Sequence, residues 1–348
     1  MSGIDIMAST LKRHQCAVCD TRENLSRCSA CRSVHYCSRD HQATHRSSHK
    51  DDCKQIKRTR DSLEHEEREL RALPPGFDVP PHIFEDGEDG GVGHFWGMLC
   101  TRDYMRARWA HIDALSQVRT YEAIEAAVNH CLDMHRLCRS DNMGIRYSTP
   151  HLLLRLGKDQ EAYDFLKWYA LINMTDDYDY GDMTLPFLDI KGADVFENVT
   201  GFMPRFSALS HVVAVTLTKL RLLIDLRALQ NSNMMRGKLP QELIDKVREQ
   251  LVSNPVRNNK DILHSDDLTP RIKEIETQVD QLYDYVKRQN KFFWPALVDP
   301  LPHLGQKPEY YSFGNEAEMQ LILNYSYLAW EETPGAIDAI RQKMAGGV

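Results

Sequence analysis

Apolar residues recur at three- and four-residue steps through most of the chain beyond residue 93. This spacing places them on one face of a helix, so it predicts a succession of amphipathic helices. The predicted helices cover residues 103–118, 121–139, 149–156, 206–230, 240–252, 269–289, 315–331 and 334–344. Residues 176–200 are acidic and irregular, and residues 292–314, rich in proline and aromatic residues, predict an ordered loop. The expected fold class is therefore mainly α.

The first 93 residues follow a different pattern. Residues 54–73 are strongly charged and have the composition of a helix. We expect this helix to continue the last helix of the module that precedes it and to stop at Pro74-Pro75-Gly76. Residues 74–93 combine proline, glycine and acidic residues, as linkers do. We therefore expect a tail at 1–15, a small module at 16–53, a connecting helix at 54–73, a linker at 74–93 and a helical domain at 94–348.

The predicted helical domain contains one recognisable turn. Leu156-Gly157 ends a predicted helix, and a second helix with Ala162 and Tyr163 near its start follows. This pattern resembles a tetratricopeptide-type helical hairpin, although the 34-residue period of a repeat array is absent. The resemblance implies a larger all-helical domain of antiparallel hairpins.

Composition indicates a globular protein, with 42% hydrophobic and 27% charged residues among 348. The longest apolar stretch, 206–218, ends at Lys219 and is too short to span a bilayer, so no membrane association is expected. The amino terminus lacks the cationic start and apolar run of a secretory signal. We therefore expect an intracellular protein of the cytoplasm or nucleus, where clustered cysteines bind metal more often than they form disulfides.

Charge is distributed unevenly. Residues 1–60 hold 12 Lys and Arg against 6 Asp and Glu, whereas the remaining residues hold 31 against 44. A basic amino-terminal part suggests an anionic partner. The chain as a whole, however, carries a net charge of −7. A nucleic-acid partner is therefore not expected.

Six of the nine cysteines lie in the first 53 residues. Together with two histidines they form the pattern C-x2-C-x8-C-x2-C-x5-C-x3-H-x7-H-x3-C. Thiolate and imidazole ligands select zinc over hard cations, and eight ligands complete two tetrahedral sites with no position left for water. The sequence thus predicts two structural zinc ions with the ligands Cys16, Cys19, Cys28, Cys31, Cys37, His41, His49 and Cys53.

Spacing alone leaves the pairing of these ligands open. A sequential arrangement gives one all-cysteine site and one site of two cysteines and two histidines. An interleaved arrangement gives two sites of three cysteines and one histidine, and charge balance mildly favours it.

The spacing, with Tyr36-Cys37-Ser38 and with Gln42 just after the sixth ligand, resembles a MYND zinc finger. That family interleaves its ligand pairs. The resemblance therefore implies a first site of Cys16, Cys19, Cys37 and His41. It implies a second site of Cys28, Cys31, His49 and Cys53.

Two positions depart from the MYND pattern. His41 stands where the family usually has cysteine, and His45, one turn later, could take its place as ligand. Arg46 stands where many MYND fingers have a tryptophan that, beside a glutamine, contacts proline-rich peptides. An aromatic platform is therefore missing, which puts inheritance of proline-rich peptide binding in doubt.

Two further groups attract attention. His130, Cys131, His135 and Cys138 lie on one predicted helix, and we expect them to be ordinary buried side chains. Four acids between Asp176 and Asp182 lack the register of a calcium loop, so a solvated acidic loop is favoured. The segments RDYMRAR at 102–108 and CRSDNMG at 138–144 resemble a group of fungal proteins with an amino-terminal MYND finger and one helical domain.

The function expected from these features is that of a non-enzymatic adaptor with a protein or peptide partner and no small-molecule substrate. One alternative is a SET-type lysine methyltransferase with a MYND insertion. That architecture requires strands, a Gly-x-Gly before the finger and an Asn-His-x-Cys motif, and Asn129-His130-Cys131 lacks the spacer. The other alternative is a DNA-associated transcriptional regulator, for which no helix with clustered arginines is found.

Overall fold

A computed structural model describes residues 11, 14–76, 78–87, 89–175, 177–205, 207–234 and 241–346. Most of the predicted tail 1–15, Asp176 of the acidic loop, and the first residues of the helices predicted at 206 and 240 lie outside these residues. Within them the chain is mainly helical, with one two-stranded sheet, which confirms the predicted fold class. No helix among the described residues is long and apolar enough to cross a membrane.

By its internal contacts the described chain divides into two compact units. One, the finger unit, contains residues 11–152 and 179–187; the other, the helical unit, contains residues 153–178 and 188–348. The domain limits expected from sequence, a finger at 16–53 and one helical domain at 94–348, remain a prediction.

The finger unit begins with a short hairpin of strands β1 (Ser26–Arg27) and β2 (His35–Tyr36), which leads into helix α1 (Arg39–Ala72). The Ser38 side chain caps α1 by accepting a hydrogen bond from the His41 backbone N–H at 3.2 Å. The helix then runs without interruption for 34 residues. The charged segment 54–73 therefore continues the last helix of the zinc module, as predicted.

Helix α1 packs along α2 (Arg102–Ser116), and α2 packs against α3 (Tyr121–Leu137). The buried face of α1 includes Ile56, which is fully buried, and Thr59, whose hydroxyl lies 3.0 Å from Nδ1 of His111 on α2. Thr120 caps α3 and also donates to the Ser33 carbonyl at 2.7 Å, a contact between α3 and the hairpin. These contacts hold the amino-terminal module against helices within one unit.

Residues 74–93 form no helix where they are described, as their proline and glycine content predicts. Ile83 and Val92 are nevertheless buried, and the Phe84 ring contacts the rings of Phe95 and Tyr104. Arg71, at the end of α1, stacks on Phe84 at 4.1 Å. The segment is thus packed within the finger unit.

Helix α4 (Thr149–Arg155) lies at the division between the units, and Gly157 makes the turn into α5 (Asp159–Ile172) with a φ of +68°. A side chain is disfavoured at this φ, so glycine suits the position. The turn has the predicted helix–turn–helix connection, whereas the likeness to tetratricopeptide hairpins remains a prediction.

The helical unit is built around α6 (Leu209–Met234). Every residue from Leu209 to Leu223 is buried, which accounts for the long apolar stretch in the sequence. Helix α10 (Thr269–Gln289) makes the most extensive contact with α6, and α5 and α12 (Glu316–Glu331) also pack on it. Arg221 on α6 forms a buried ion pair with Asp159 at 2.7 Å.

Five shorter helices complete the unit: α7 (Gln241–Glu249), α8 (Asn254–Arg257), α9 (Lys260–His264), α11 (Phe293–Val298) and α13 (Ala336–Met344). The sequence did not predict α8 or α9, which are too short to display helical periodicity. The prediction of a loop throughout 292–314 was wrong in its first part, because α11 buries Phe293, Trp294 and Leu297 there.

Candidate metal centre

Tight turns position the first four zinc ligands. The backbone N–H of Cys16 donates to Thr21 O at 2.9 Å, and Cys16 also bridges to His35 of β2. The next C-x2-C turn closes when the N–H of Arg32 donates to Cys28 O at 2.9 Å, with Arg32 at a φ of +60°. The hairpin thereby brings both cysteine turns beside Cys37 and the start of α1.

The first ligand group consists of Cys16, Cys19, Cys37 and His41, whose ligand atoms all lie within 4.8 Å of one another. Sγ of Cys19 is 3.7 Å from Sγ of Cys37. Nδ1 of His41 is 3.5 Å from Sγ of Cys16 and 3.1 Å from Sγ of Cys37. Cys16 is buried, and the other three side chains are partly exposed.

The second group consists of Cys28, Cys31, His49 and Cys53 and is buried throughout. Sγ of Cys28 lies 3.7 Å from Sγ of Cys53, and Sγ of Cys31 lies 3.4 Å from Nε2 of His49. His49 and Cys53 stand one turn apart on α1, so the helix presents both to the same point.

These separations fit zinc. With ligands at about 2.3 Å for sulfur and about 2.0 Å for nitrogen, a tetrahedral ion separates two sulfurs by about 3.8 Å and sulfur from nitrogen by about 3.5 Å. The observed sulfur pairs, at 3.7 Å in each group, match this value. The sulfur–nitrogen distances of 3.5 and 3.4 Å match as well, while Cys37 to His41 is somewhat shorter at 3.1 Å.

The electrostatics of the second group call for a cation. Burial, together with the neighbouring Cys28 and Cys53 sulfurs, raises the pKa of Cys31 to about 12. Burial lowers the pKa of His49, which keeps its imidazole neutral as a metal ligand must be. Three thiolates so close together repel one another, and a divalent ion removes that cost.

The first group is more open. Burial opposes ionisation of Cys16, but hydrogen bonds from the Val18 and Cys37 backbone and from the His41 ring outweigh it and lower its pKa to about 6. A thiolate is therefore available at neutral pH before a metal binds.

His45 does not belong to either group. Its Nδ1 lies 3.0 Å from the Tyr36 hydroxyl, and its ring stacks on His49 with centroids 5.4 Å apart. The structure thus places His41, not His45, with Cys16. Gln42 and Arg46 are both exposed on α1.

The sequence also drew attention to His130, Cys131, His135 and Cys138. In the described part of the chain, the two groups above are the ones close enough to share an ion, and these four residues do not form such a group. Cys131 and His135 are buried, and Nε2 of His135 lies 3.0 Å from the Thr149 hydroxyl. In the acidic loop, Asp179 and Asp182 accept hydrogen bonds from backbone N–H groups two residues later.

Several residues that support the ligands were not expected from sequence. Arg60 donates to the Cys31 carbonyl at 3.3 Å, and the Ser33 hydroxyl donates to the same oxygen at 3.1 Å. Glu122 of α3 accepts a hydrogen bond from the His14 backbone N–H at 2.8 Å and lies 3.8 Å from His35. The contacts of Arg60 and Glu122 join positions far apart in sequence, and no local pattern marks them.

Comparison with known proteins identifies residues 16–53 as a MYND finger. The match begins at the first ligand and ends at the last, and the two ligand groups are those that the MYND resemblance implies. No curated protein and no solved structure matches the chain. The chain therefore carries a cross-braced MYND finger with two zinc sites, followed by a helical region.

Proposed function

We propose that this chain, with a MYND finger as its amino-terminal module, is a non-enzymatic adaptor of the cytoplasm or nucleus. The finger serves as a structural platform, and the helical region binds a protein partner. MYND fingers are protein-interaction modules, and this assignment extends that role to the whole chain.

The main support is the completeness of the two zinc sites. Each group supplies four protein ligands, so neither ion has an open position for water or substrate. Zinc in such a site stabilises a fold and does no Lewis-acid chemistry. The metal is thus better suited to shaping a surface than to catalysis.

The helical unit offers a groove for a partner. One cavity of about 500 Å³ is lined by residues of α8, α9 and the segment 193–196, and a neighbouring cavity of about 380 Å³ shares Asp194, Phe196 and Asn259 with it. Gln160, Asn254, Asn258 and Asn259 line the first cavity, and Gln160 Nε2, Asn254 Oδ1 and Asn259 Oδ1 also hydrogen-bond within the chain. Amides both donate and accept hydrogen bonds, which suits the backbone of a bound peptide.

The wall of this groove is held rigid from beneath. The fully buried Lys219 of α6 donates to Val195 O at 2.6 Å and to Glu197 O at 2.7 Å. Gln278 of α10 donates to Phe196 O at 3.1 Å, and Gln160 donates to Ala193 O at 2.9 Å. A preordered wall lowers the entropy lost on binding, which favours recognition of a partner.

The test is affinity capture on the zinc-loaded full chain from an extract of its own cells, quantified by mass spectrometry. We expect a stoichiometric protein partner whose capture falls about tenfold for Asn258→Arg, since an arginine would obstruct the groove. Asn231→Arg introduces the same change at an exposed position of α6 outside the groove and should capture as well as wild type. A wild-type chain without a stoichiometric partner would contradict the proposal.

A second assay addresses the methyltransferase alternative. The protein is incubated with radiolabelled S-adenosylmethionine and histones, and no saturable labelling is expected. Saturable transfer of the methyl group would overturn the assignment as a non-enzymatic protein. A gel shift with random duplex at low salt addresses the DNA alternative, and no shift is expected.

A further inference from the structure

The exposed face of α1 carries four cations at successive four-residue steps: Arg46, Lys50, Lys54 and Arg58. We call these four residues the basic row. Positions i and i+4 are neighbours on a helix surface, so each member stands next to a like charge. On a helix of 3.6 residues per turn, Arg46 lies beside His49, and each later member of the row is turned about 40° further from the face that buries His49, Cys53 and Ile56.

None of the four side chains has an ion pair or hydrogen bond with another residue in the part of the chain that the structure describes. Other cations of the same helix do. Lys57 pairs with Asp61 at 2.5 Å, Arg60 lies 3.7 Å from Glu64, and Arg71 pairs with Glu67 at 2.8 Å. The row therefore differs from Lys57, Arg60 and Arg71, whose charges lie close to carboxylates of the same helix.

This arrangement weakens the helix, because like charges at i and i+4 repel each other. An anion laid along the row would reverse the sign of that contribution. An occupant of the row would therefore have to supply several negative charges in succession.

The spacing indicates the form of the occupant. One four-residue step along a helix advances about 6 Å. In an extended peptide, side chains on the same face are separated by about 6.6–6.8 Å. Acidic residues at alternate positions of an extended segment can therefore each approach one cation of the row.

The charge of the remaining chain favours a short segment over nucleic acid. Residues 61–348 hold 44 Asp and Glu against 31 Lys and Arg. A duplex carries negative charge on all sides and extends beyond the row, so the net negative charge of residues 61–348 would repel it. A peptide can confine its charge to the row.

We infer that the basic row of α1 binds an extended acidic segment of a partner protein, with carboxylates at alternate residues. This inference rests on the proposed adaptor function and specifies the chemistry of a second contact, separate from the groove of the helical unit.

The probe is a fluorescein-labelled peptide of alternating glutamate and serine, about twelve residues long. Its fluorescence anisotropy is titrated with the zinc-loaded full chain at low and at raised salt. We expect binding that weakens with salt, and no binding of the same peptide with glutamine in place of glutamate. The variant Lys50→Glu with Lys54→Glu should bind about tenfold more weakly.

The matched control is Lys191→Glu with Lys273→Glu, which makes the same change in net charge at exposed lysines of the helical unit. It should bind the peptide as wild type does. Zinc content verifies that each variant is folded. If the first variant loses zinc, Arg46→Glu with Arg58→Glu replaces it, since neither residue is adjacent in sequence to a ligand.

Three outcomes would overturn the inference: no binding of the peptide by wild type, equal loss in both double variants, or tighter binding of random duplex with the same dependence on the row. Failure of the peptide to bind leaves the adaptor function intact, because partner capture and its dependence on Asn258 are measured separately.

Discussion

Individual ligands of the two zinc sites differ in their exposure to solvent. The second group is buried at all four positions, whereas Cys19, Cys37 and His41 of the first group are partly exposed. A chelator or a competing thiol reaches an ion through its exposed ligands. The first site should therefore exchange its zinc faster than the second.

Replacing one buried ligand tests the second site. We expect Cys28→Ser to bind about one zinc per chain instead of two, because a hydroxyl is a poor substitute for a thiolate. Elemental analysis measures the metal, and limited proteolysis should show faster cleavage within 16–53. Cys100→Ser is the control, since this partly exposed thiol belongs to neither group. Two zinc ions in Cys28→Ser would refute the assignment.

His41 and His45, one helical turn apart, should respond differently to substitution. His41→Ala removes a ligand and should lower the zinc content by about one ion. His45→Ala removes the contact with the Tyr36 hydroxyl and should retain both ions, with a stability loss of about 1 kcal/mol. Zinc content and the midpoint of thermal unfolding distinguish the two variants. Loss of zinc from His45→Ala alone would make His45 the ligand.

The ligands themselves were predictable from sequence, because metal coordination imposes fixed spacings on the residues that supply it. Their pairing was not predictable from spacing alone and required the resemblance to the MYND family. The contacts between the finger and the helices could not be predicted from the sequence. Thr120 and Ser33, for example, are 87 positions apart, and nothing in either neighbourhood points to the other.

Among the helices, those with clear periodicity were predicted well. Helix α10 spans Thr269–Gln289 as expected, and α12 begins after Asn315, whose side chain accepts from the Glu318 N–H at 2.8 Å. The missed helices are short or interrupted: α8 has four residues, and α11 contains Pro295. Their conformation is imposed by tertiary packing, which a local pattern does not record.

At the level of helix packing, the buried pair of Arg221 on α6 and Asp159 on α5 should be essential to the helical unit. Arg221 also donates to Leu154 O at 3.1 Å and to Val252 O at 2.8 Å. Arg221→Met leaves the buried Asp159 carboxyl without its cation and removes two hydrogen bonds to backbone carbonyls, so we expect a loss of about 3–5 kcal/mol in the free energy of unfolding. Urea denaturation followed by circular dichroism measures it.

Arg227→Met is the control for this substitution. Arg227 lies on the same helix, and both it and its partner Glu276 are exposed to solvent. The loss should stay below about 1 kcal/mol. Equal effects of the two substitutions would show that the buried pair contributes no more than a surface contact.

For the whole molecule, zinc removal should affect the two units unequally. The finger has too small a core to fold without metal, and structural zinc supplies about 10–16 kcal/mol. Treatment with a chelator should abolish amide hydrogen-exchange protection in 16–53, while α6 and α10, which bury their own apolar core, keep theirs. Release should occur in two steps, the first site before the second. Retained protection in 16–53, or equal loss in α6, would contradict this expectation.

Helix α1 has a mechanical consequence for any protein that docks on the finger. It is one rod of about 51 Å that supplies three zinc ligands from its first half and packs against α2, which is about 22 Å long. The finger therefore cannot rotate freely relative to the helices of its own unit. Its orientation is fixed before a partner binds, so little rotational freedom of the finger is lost when the complex forms.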